Sequence, residues 1–214
     1  MDARTVSELD TSKVLKNTYM LLGATLAFSA FIAFLSMSLN APHPGLIITL
    51  VGFYGLLFAV HKTQNSGMGI VFTFALTGFM GYTLGPIISM FAGAGAMHVV
   101  TNALGMTALV FFGLSGYALV SRKDFSFLSG AITAGFFVLL GAMIVGMFTD
   151  IAGLQLTISA GFVLFSSMVI LYQTSQIIHG GERNYVLATV TLFVSIYNLF
   201  LSLLNLLMAF SGED

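Results

Sequence analysis

Residues 185–210 read YVLATVTLFVSIYNLFLSLLNLLMAF and contain no Asp, Glu, Lys or Arg. About 20 apolar residues are enough to cross the hydrocarbon core of a bilayer as an α-helix. The polar side chains of this stretch recur at helical spacing and share one face: Thr191, Ser195, Asn198, Ser202 and Asn205. Because lipid cannot hydrogen-bond an Asn side chain, we expect this face to contact protein or water. This polar face predicts either hydrogen bonds between helices or a polar conduction path.

Six further uncharged stretches precede this one, which predicts an all-α integral membrane protein with seven transmembrane helices. They are Tyr19–Leu39, Gly45–Val60, Met68–Phe91, Val99–Val120, Phe127–Thr149 and Leu154–Ile178. The second is short, so we expect it to extend into its flanks. A polar tail at 1–18 and a short tail at 211–214 then flank a transmembrane domain at 19–210. Asp10, Thr11 and Ser12 predict the cap of a short helix that leads into the first span.

The composition excludes several classes of protein. Hydrophobic residues make up 57% of the 214 residues and charged residues only 7%, whereas a soluble domain carries about 25% charge. The net charge of −1 provides no basic surface for nucleic acid. Cys is absent, which excludes disulfides and Cys-ligated metals. We therefore expect lipid, rather than water or nucleic acid, to cover most of the surface.

The positive charges predict the orientation of the chain. All seven Lys and Arg residues share one side if there are seven spans: Arg4, Lys13, Lys16, Lys62, Arg122, Lys123 and Arg183. The opposite side has Asp150, Glu213 and Asp214 instead. Positive residues concentrate in cytoplasmic loops, so we expect a cytoplasmic N-terminus and a periplasmic C-terminus.

No catalytic or metal-binding pattern is visible in the sequence. The seven stretches contain no ionisable residue, which would otherwise mark a functional site. The four histidines, His43, His61, His98 and His179, fall singly in connectors. We therefore expect no cofactor, no metal site and no enzyme activity.

Two further features suggest function inside the bundle. Polar residues 172–176 end the sixth span, and Gln173 and Gln176 are candidates for a polar core or pore, or for a cluster at the membrane interface. Gly81, Gly85 and Pro86 lie late in the third span, where the small residues favour close helix packing. Proline kinks a helix, so this point is either a packing kink or a gating hinge.

Four segments together resemble the transmembrane Bax inhibitor motif family, in the bacterial YccA branch of the Bax inhibitor-1 proteins. They read FMGYTLGPI at 79–87, SRKDFSFLSG at 121–130, IIHGGERNY at 177–185 and LFVSIYNLF at 192–200. The resemblance implies seven spans with the last helix central in the bundle, and a location in the bacterial inner membrane. Family members are associated with calcium leak and with restraint of stress-induced death.

The YccA branch is associated with FtsH, a membrane-anchored AAA+ protease. Members of this branch act as modulators and slowly degraded substrates of the protease. The resemblance implies that the protease engages the N-terminal tail, with Arg4, Glu8, Lys13 and Lys16 as the candidate residues. The leading hypothesis is therefore a regulator of an FtsH-type protease in membrane-protein quality control.

The alternative hypothesis is a cation leak channel that conducts calcium. Calcium-leak relatives have an aspartate pair at the positions that match Gln173 and Ser195, and neither of these residues titrates near neutral pH. In those relatives the resemblance implies a basic residue near the end of the second span that latches to the aspartate pair. The matching residue here is His61 or Lys62, and it has no carboxylate partner. If flux exists, we expect its pH dependence to be weak or lost.

Overall fold

The structure is a computed structural model that describes residues 3–211, with side chains from Thr11 onward. Over this range the chain forms seven helices and no strand: α1 (Ala3–Ser38), α2 (Gly45–Thr63), α3 (Gly67–Gly93), α4 (Met97–Ser121), α5 (Leu128–Phe148), α6 (Leu154–Ile178) and α7 (Tyr185–Ser211). All seven are long and apolar enough to cross a membrane, so the predicted fold class is confirmed. The orientation of the termini stays a prediction, and Glu213 and Asp214 lie outside the described residues.

The helix bounds differ from the sequence prediction mainly at the first helix. Helix α1 begins at Ala3 and runs unbroken to Ser38, so the cap expected at residues 10–12 is wrong. The residues before the apolar run simply continue its helix. Helix α2 extends to Thr63, as expected from the short length of its apolar stretch.

The helices group into two compact units. One contains α1, α2 and α3 with residues 182–193, and the other contains α4, α5 and α6 with residues from Val194 onward. Helix α7 is the most buried of the seven described helices, since 67% of its most apolar stretch is inside the protein, against 6% for α2 and for α5. This burial agrees with the expectation of an enclosed last helix, and its central position in the bundle stays a prediction.

Glycines bring α1 and α3 into close contact within the first unit. A Cβ atom on Gly81 would collide with the Ser29 carbonyl oxygen, and one on Gly85 would collide with the Ser36 hydroxyl. Small residues allow membrane helices to approach until their backbones touch. These two glycines therefore set the distance between α1 and α3.

Candidate functional site

The polar stripe of α7 is mostly enclosed. Ser195 and Ser202 are buried, Thr191 and Asn198 are half-buried, and Asn205, near the C-terminal end of the helix, is exposed. This burial agrees with the rule that polar groups in a membrane helix avoid lipid. A conduction role for the stripe stays a prediction.

Gln173 lies on the buried face of α6. It is 6% exposed, and its side-chain nitrogen has no hydrogen-bond partner among the described residues. Ser166, two turns earlier on the same face, has an unpartnered hydroxyl as well. In contrast, Ser159 and Ser167 donate to carbonyl oxygens of their own helix at 3.0 and 2.7 Å. A buried polar atom without a partner costs about 1–3 kcal/mol, which favours a water molecule or polar ligand beside Gln173 and Ser166.

The chemistry of this face suits a hydrogen-bond acceptor better than a cation. The unpartnered atom of Gln173 is a donor, and the seven predicted spans contain no carboxylate. Calcium prefers several oxygen ligands, usually with carboxylates among them. Over the part of the chain that the structure describes, no three His, Asp or Glu side chains come together as a metal site.

Gln176 does not share the environment of Gln173, although the sequence analysis grouped them. It is half-buried, and its Nε2 donates to the Ser126 hydroxyl at 2.9 Å. Ser126 belongs to the connector between α4 and α5. Gln176 thus binds a connector at the end of α6, while Gln173 lies within the helix bundle.

Two more residues at this end of α6 hold the same connector. The buried Ser175 hydroxyl accepts the Phe125 N–H at 3.0 Å and lies 3.3 Å from the Lys123 carbonyl oxygen. His179 Nε2 lies 3.1 Å from the Arg122 carbonyl oxygen. We call the whole cluster the connector clasp, which consists of residues 122–126 with Ser175, Gln176 and His179. No pattern in the sequence predicted the clasp, because Gln176 and Ser126 are 50 residues apart.

The clasp contains Ser, His and Asp side chains but not in a catalytic arrangement. Ser175 Oγ lies 3.3 Å from His179 Nδ1, yet Ser175 is completely buried and its hydroxyl contacts the connector backbone. Asp124 is turned toward Ser126, whose hydroxyl and backbone N–H lower the pKa of the Asp124 carboxyl, and the charge of His179 lowers it further. A substrate cannot reach this serine, so the cluster is structural.

The predicted latch residues lie at the exposed end of α2. His61 Nδ1 is 3.3 Å from the Leu57 carbonyl oxygen of the same helix. The Lys62 ammonium lies over the Phe58 ring, 5.6 Å from its centroid. Each side chain thus contacts its own helix, and the latch role stays a prediction.

The predicted hinge at Gly81, Gly85 and Pro86 lies inside an unbroken helix α3. Proline has no N–H, so the Tyr82 carbonyl oxygen, four residues earlier, loses its helical partner. The Ser36 hydroxyl of α1 donates to this oxygen at 2.9 Å and replaces the missing bond. Bending at Pro86 would strain this contact, and the hinge role stays a prediction.

The described part of the tail is the N-terminal end of α1, which begins at Ala3 and is fixed at Thr18. Lys13 and Lys16 are exposed, whereas the side chains of Arg4 and Glu8 lie outside the described residues. Thr18 is buried, and its carbonyl oxygen accepts a hydrogen bond from the Thr189 hydroxyl of α7 at 3.2 Å. The tail is therefore attached to α7 at Thr18.

Asn184 makes a second set of structural contacts that was not among the predicted sites. Its Oδ1 accepts the backbone N–H groups of Val186 and Leu187 at 2.9 and 3.2 Å and so caps α7. Its Nδ2 donates to the Gln64 carbonyl oxygen and to Asn65 Oδ1 at 3.2 and 3.0 Å. One side chain thus caps α7 and holds the connector between α2 and α3. Asn directly before an apolar run is a recognised N-cap signal.

Comparison with known proteins identifies the family. Residues 11–212 match the family model described as Inhibitor of apoptosis-promoting Bax1. A protein of Escherichia coli K12 named Modulator of FtsH protease YccA is 54% identical, and the match covers 97% of this chain and 94% of that protein. The Inner membrane protein YccA of E. coli O6:H1 matches with the same identity and coverage.

A protein of Pseudomonas aeruginosa is 59% identical over 100% of this chain and 97% of its own length. The family match and these relatives span the helices described above from α1 to α7. The chain belongs to the Bax inhibitor-1 family and is a close relative of YccA.

Proposed function

We propose that this protein is an inner-membrane modulator of an FtsH-type protease and acts in membrane-protein quality control. The observation that carries the proposal is the 54% identity, over 97% of this chain, to a protein named Modulator of FtsH protease YccA. The name of a second relative, Inner membrane protein YccA, supports the location in the inner membrane.

The geometry of α1 supports the tail as the segment that the protease engages. The helix begins at Ala3, and at about 1.5 Å per residue it extends about 22 Å beyond Thr18. Lys13 and Lys16 are exposed on this extension. The Thr18–Thr189 hydrogen bond holds its base, so a protease can pull on the extension before the membrane helices separate.

The first experiment removes residues 2–16, which leaves the buried Thr18 in place, and measures the half-life of the protein in cells with and without FtsH. We expect the truncated protein to be degraded several-fold more slowly, and only when FtsH is present. A matched control replaces the same 15 residues with a Gly/Ser sequence of equal length, which tests length against sequence. An unchanged half-life after truncation would contradict the proposed tail.

The second experiment tests direct contact with the protease in native membranes. A photo-crosslinking amino acid is placed at Lys13 or, as the control, at Ile47, which is 77% exposed on the apolar surface of α2. We expect a crosslink to the protease from Lys13 and a much weaker one from Ile47. Equal crosslinking from both positions would indicate non-specific contact and would count against the proposal.

A cation leak is the second candidate function, and the buried polar face of α6 with Gln173 and Ser166 is the polar lining that it would use, although this face offers no carboxylate to bind the ion. Purified protein in liposomes is assayed for calcium flux between pH 6 and 8. We expect either no flux above empty vesicles or flux with weak pH dependence, because no carboxylate lies in the predicted spans. A steep change in flux near pH 6–7 would overturn this interpretation of Gln173 and Ser195.

A further inference from the structure

The histidine of the connector clasp has an unusual pair of neighbours. His179 Nδ1 lies 2.9 Å from the Ser175 carbonyl oxygen, and His179 Nε2 lies 3.1 Å from the Arg122 carbonyl oxygen. A carbonyl oxygen only accepts hydrogen bonds. Neutral imidazole has one N–H, whereas the imidazolium ion has two. Only the protonated ring can therefore donate to both carbonyl oxygens.

The two helix ends beside this ring also favour a positive charge. His179 directly follows the last residue of α6, and Arg122 directly follows the last residue of α4. The C-terminus of a helix carries a partial negative charge, and a cation there is stabilised. The imidazole ring thus joins the C-terminal ends of two helices of the same unit.

The connector depends on these contacts for its conformation. Arg122 has a φ of +49°, which is costly for a residue with a Cβ atom. Its N–H bonds the Ala118 carbonyl oxygen at 3.0 Å, and its carbonyl oxygen is held by His179. Without the His179 contact, the side-chain bonds that the described residues make between the end of α6 and the connector are those of Ser175 and Gln176.

We propose that His179 is a proton-operated switch of the connector clasp: the imidazolium ion holds residues 122–126 on the end of α6, and its deprotonation loosens them. The neutral ring has a single N–H, so the bond to the Arg122 carbonyl oxygen persists only while Nε2 carries the hydrogen, with Nδ1 then facing the Ser175 hydroxyl at 3.3 Å. In the other tautomer the Nε2 lone pair faces the Arg122 carbonyl oxygen, and these two repel. Phe125, which is 9% exposed, becomes more accessible when the connector loosens. This inference does not rest on the proposed function.

The charged groups around the ring do not cancel this effect. Arg122 and Lys123 are exposed, and the Lys123 ammonium lies over the Tyr117 ring, 6.0 Å from its centroid. Hydrogen bonds from Ser126 lower the pKa of the Asp124 carboxyl, and attraction between its carboxylate and His179 lowers it further. Glu182 and Arg183 follow in the chain with opposite charges, and the Glu182 carboxylate accepts the Asn184 N–H at 2.7 Å.

The experiment measures hydrogen–deuterium exchange of the full-length protein in nanodiscs at pH 5.5 and pH 8, after correction for the intrinsic effect of pH. We expect the peptide covering residues 121–128 to lose protection by about tenfold or more at pH 8, because one hydrogen bond to a charged group is lost. In His179→Gln this dependence should disappear. In His61→Gln, the matched control at the end of α2, it should persist.

A second measurement does not need a His179 variant to fold. The chain has no cysteine, so a single nitroxide can be attached through Phe127→Cys, at a position that is 73% exposed. We expect its spectrum to show greater mobility at pH 8 than at pH 5.5. The proposal is overturned if both the exchange and the nitroxide mobility are the same at the two pH values, or if the pH dependence persists in His179→Gln.

Discussion

Replacement of Ser36 by alanine removes the hydroxyl that donates to the Tyr82 carbonyl oxygen beside Pro86. Ser36 is 4% exposed, so water cannot readily replace the lost donor. Hydrogen bonds between membrane helices are worth about 0.6 kcal/mol on average and at most about 1.7 kcal/mol. Because Pro86 offers the oxygen no alternative donor, we expect Ser36→Ala to lower the free energy of unfolding by about 1 kcal/mol or slightly more.

The proline supplies a direct test of this reasoning. In Pro86→Ala, residue 86 regains an N–H that can donate to the Tyr82 carbonyl oxygen in a regular helical bond. Ser36→Ala should then cost only about 0.3 kcal/mol or less, so the two substitutions should be coupled by about 0.7 kcal/mol. This coupling distinguishes a specific replacement of the helical bond from a general packing effect of the serine.

The assay is SDS-induced unfolding of the purified protein in mixed micelles, followed by circular dichroism because the chain has no tryptophan. The matched control is Ser38→Ala, since Ser38 is exposed and donates to the Phe34 carbonyl oxygen of its own helix at 2.8 Å. We expect that control to change stability by no more than about 0.5 kcal/mol. An equal cost of Ser36→Ala with and without Pro86 would refute the reasoning.

Two further predictions use the same unfolding assay. Gly81→Ala should lower the free energy of unfolding by about 1–3 kcal/mol, because its methyl group would collide with the α1 backbone. The control Gly55→Ala, which has nothing within 4 Å, should leave the free energy of unfolding unchanged or raise it by up to about 1 kcal/mol. Equal effects of the two substitutions would show that close packing is not the cause. Asn184→Ala should cost about 1–2 kcal/mol through loss of the α7 cap, and Asn184→Asp should cost less because its carboxylate keeps the cap and only the bonds to Gln64 and Asn65 are lost. If the two Asn184 variants lose the same amount, the cap is not the main contribution.

The spans and the burial of α7 could be predicted because both depend on information local to the sequence. Uncharged stretches of the right length identify membrane helices, and α6 begins and ends where the sequence predicted, at Leu154 and Ile178. The polar stripe of α7 indicated burial because lipid cannot satisfy Asn and Ser side chains. Neither inference requires knowledge of which helices are neighbours.

The contacts at the helix ends could not be predicted because they join residues that are far apart in the chain. His179 and Arg122 are 57 residues apart, and Asn184 and Gln64 are 120 residues apart. Helical periodicity shows only which residues share a face of one helix. The shared position of Gln173 and Gln176 at the polar end of the sixth span predicted a common environment, although the orientation of Gln176 is determined by Ser126 in a distant connector.

The positions of the ionisable side chains distinguish two ways in which pH can act on this protein. The seven predicted spans hold no Asp, Glu, Lys, Arg or His, while the connector clasp places His179 against two carbonyl oxygens at the end of α6. A proton-gated leak through the bundle needs a titratable group in the spans, and this chain has none at Gln173 and Ser195. The connector clasp already contains a titratable side chain, His179, and needs no other group to respond to pH.

The variant Gln173→Asp tests this separation, because it adds a carboxyl group to the buried face of α6 and leaves every clasp contact in place. If the protein conducts, we expect calcium flux to become strongly pH-dependent only in this variant. The exchange of residues 121–128 should keep the pH dependence of the unmodified protein. A change in that exchange would mean that the clasp and the α6 face are coupled, since Gln173 lies about 9 Å along the helix from His179 by its rise per residue. Protonation of either group would then affect the other, and the clasp could not be an independent switch.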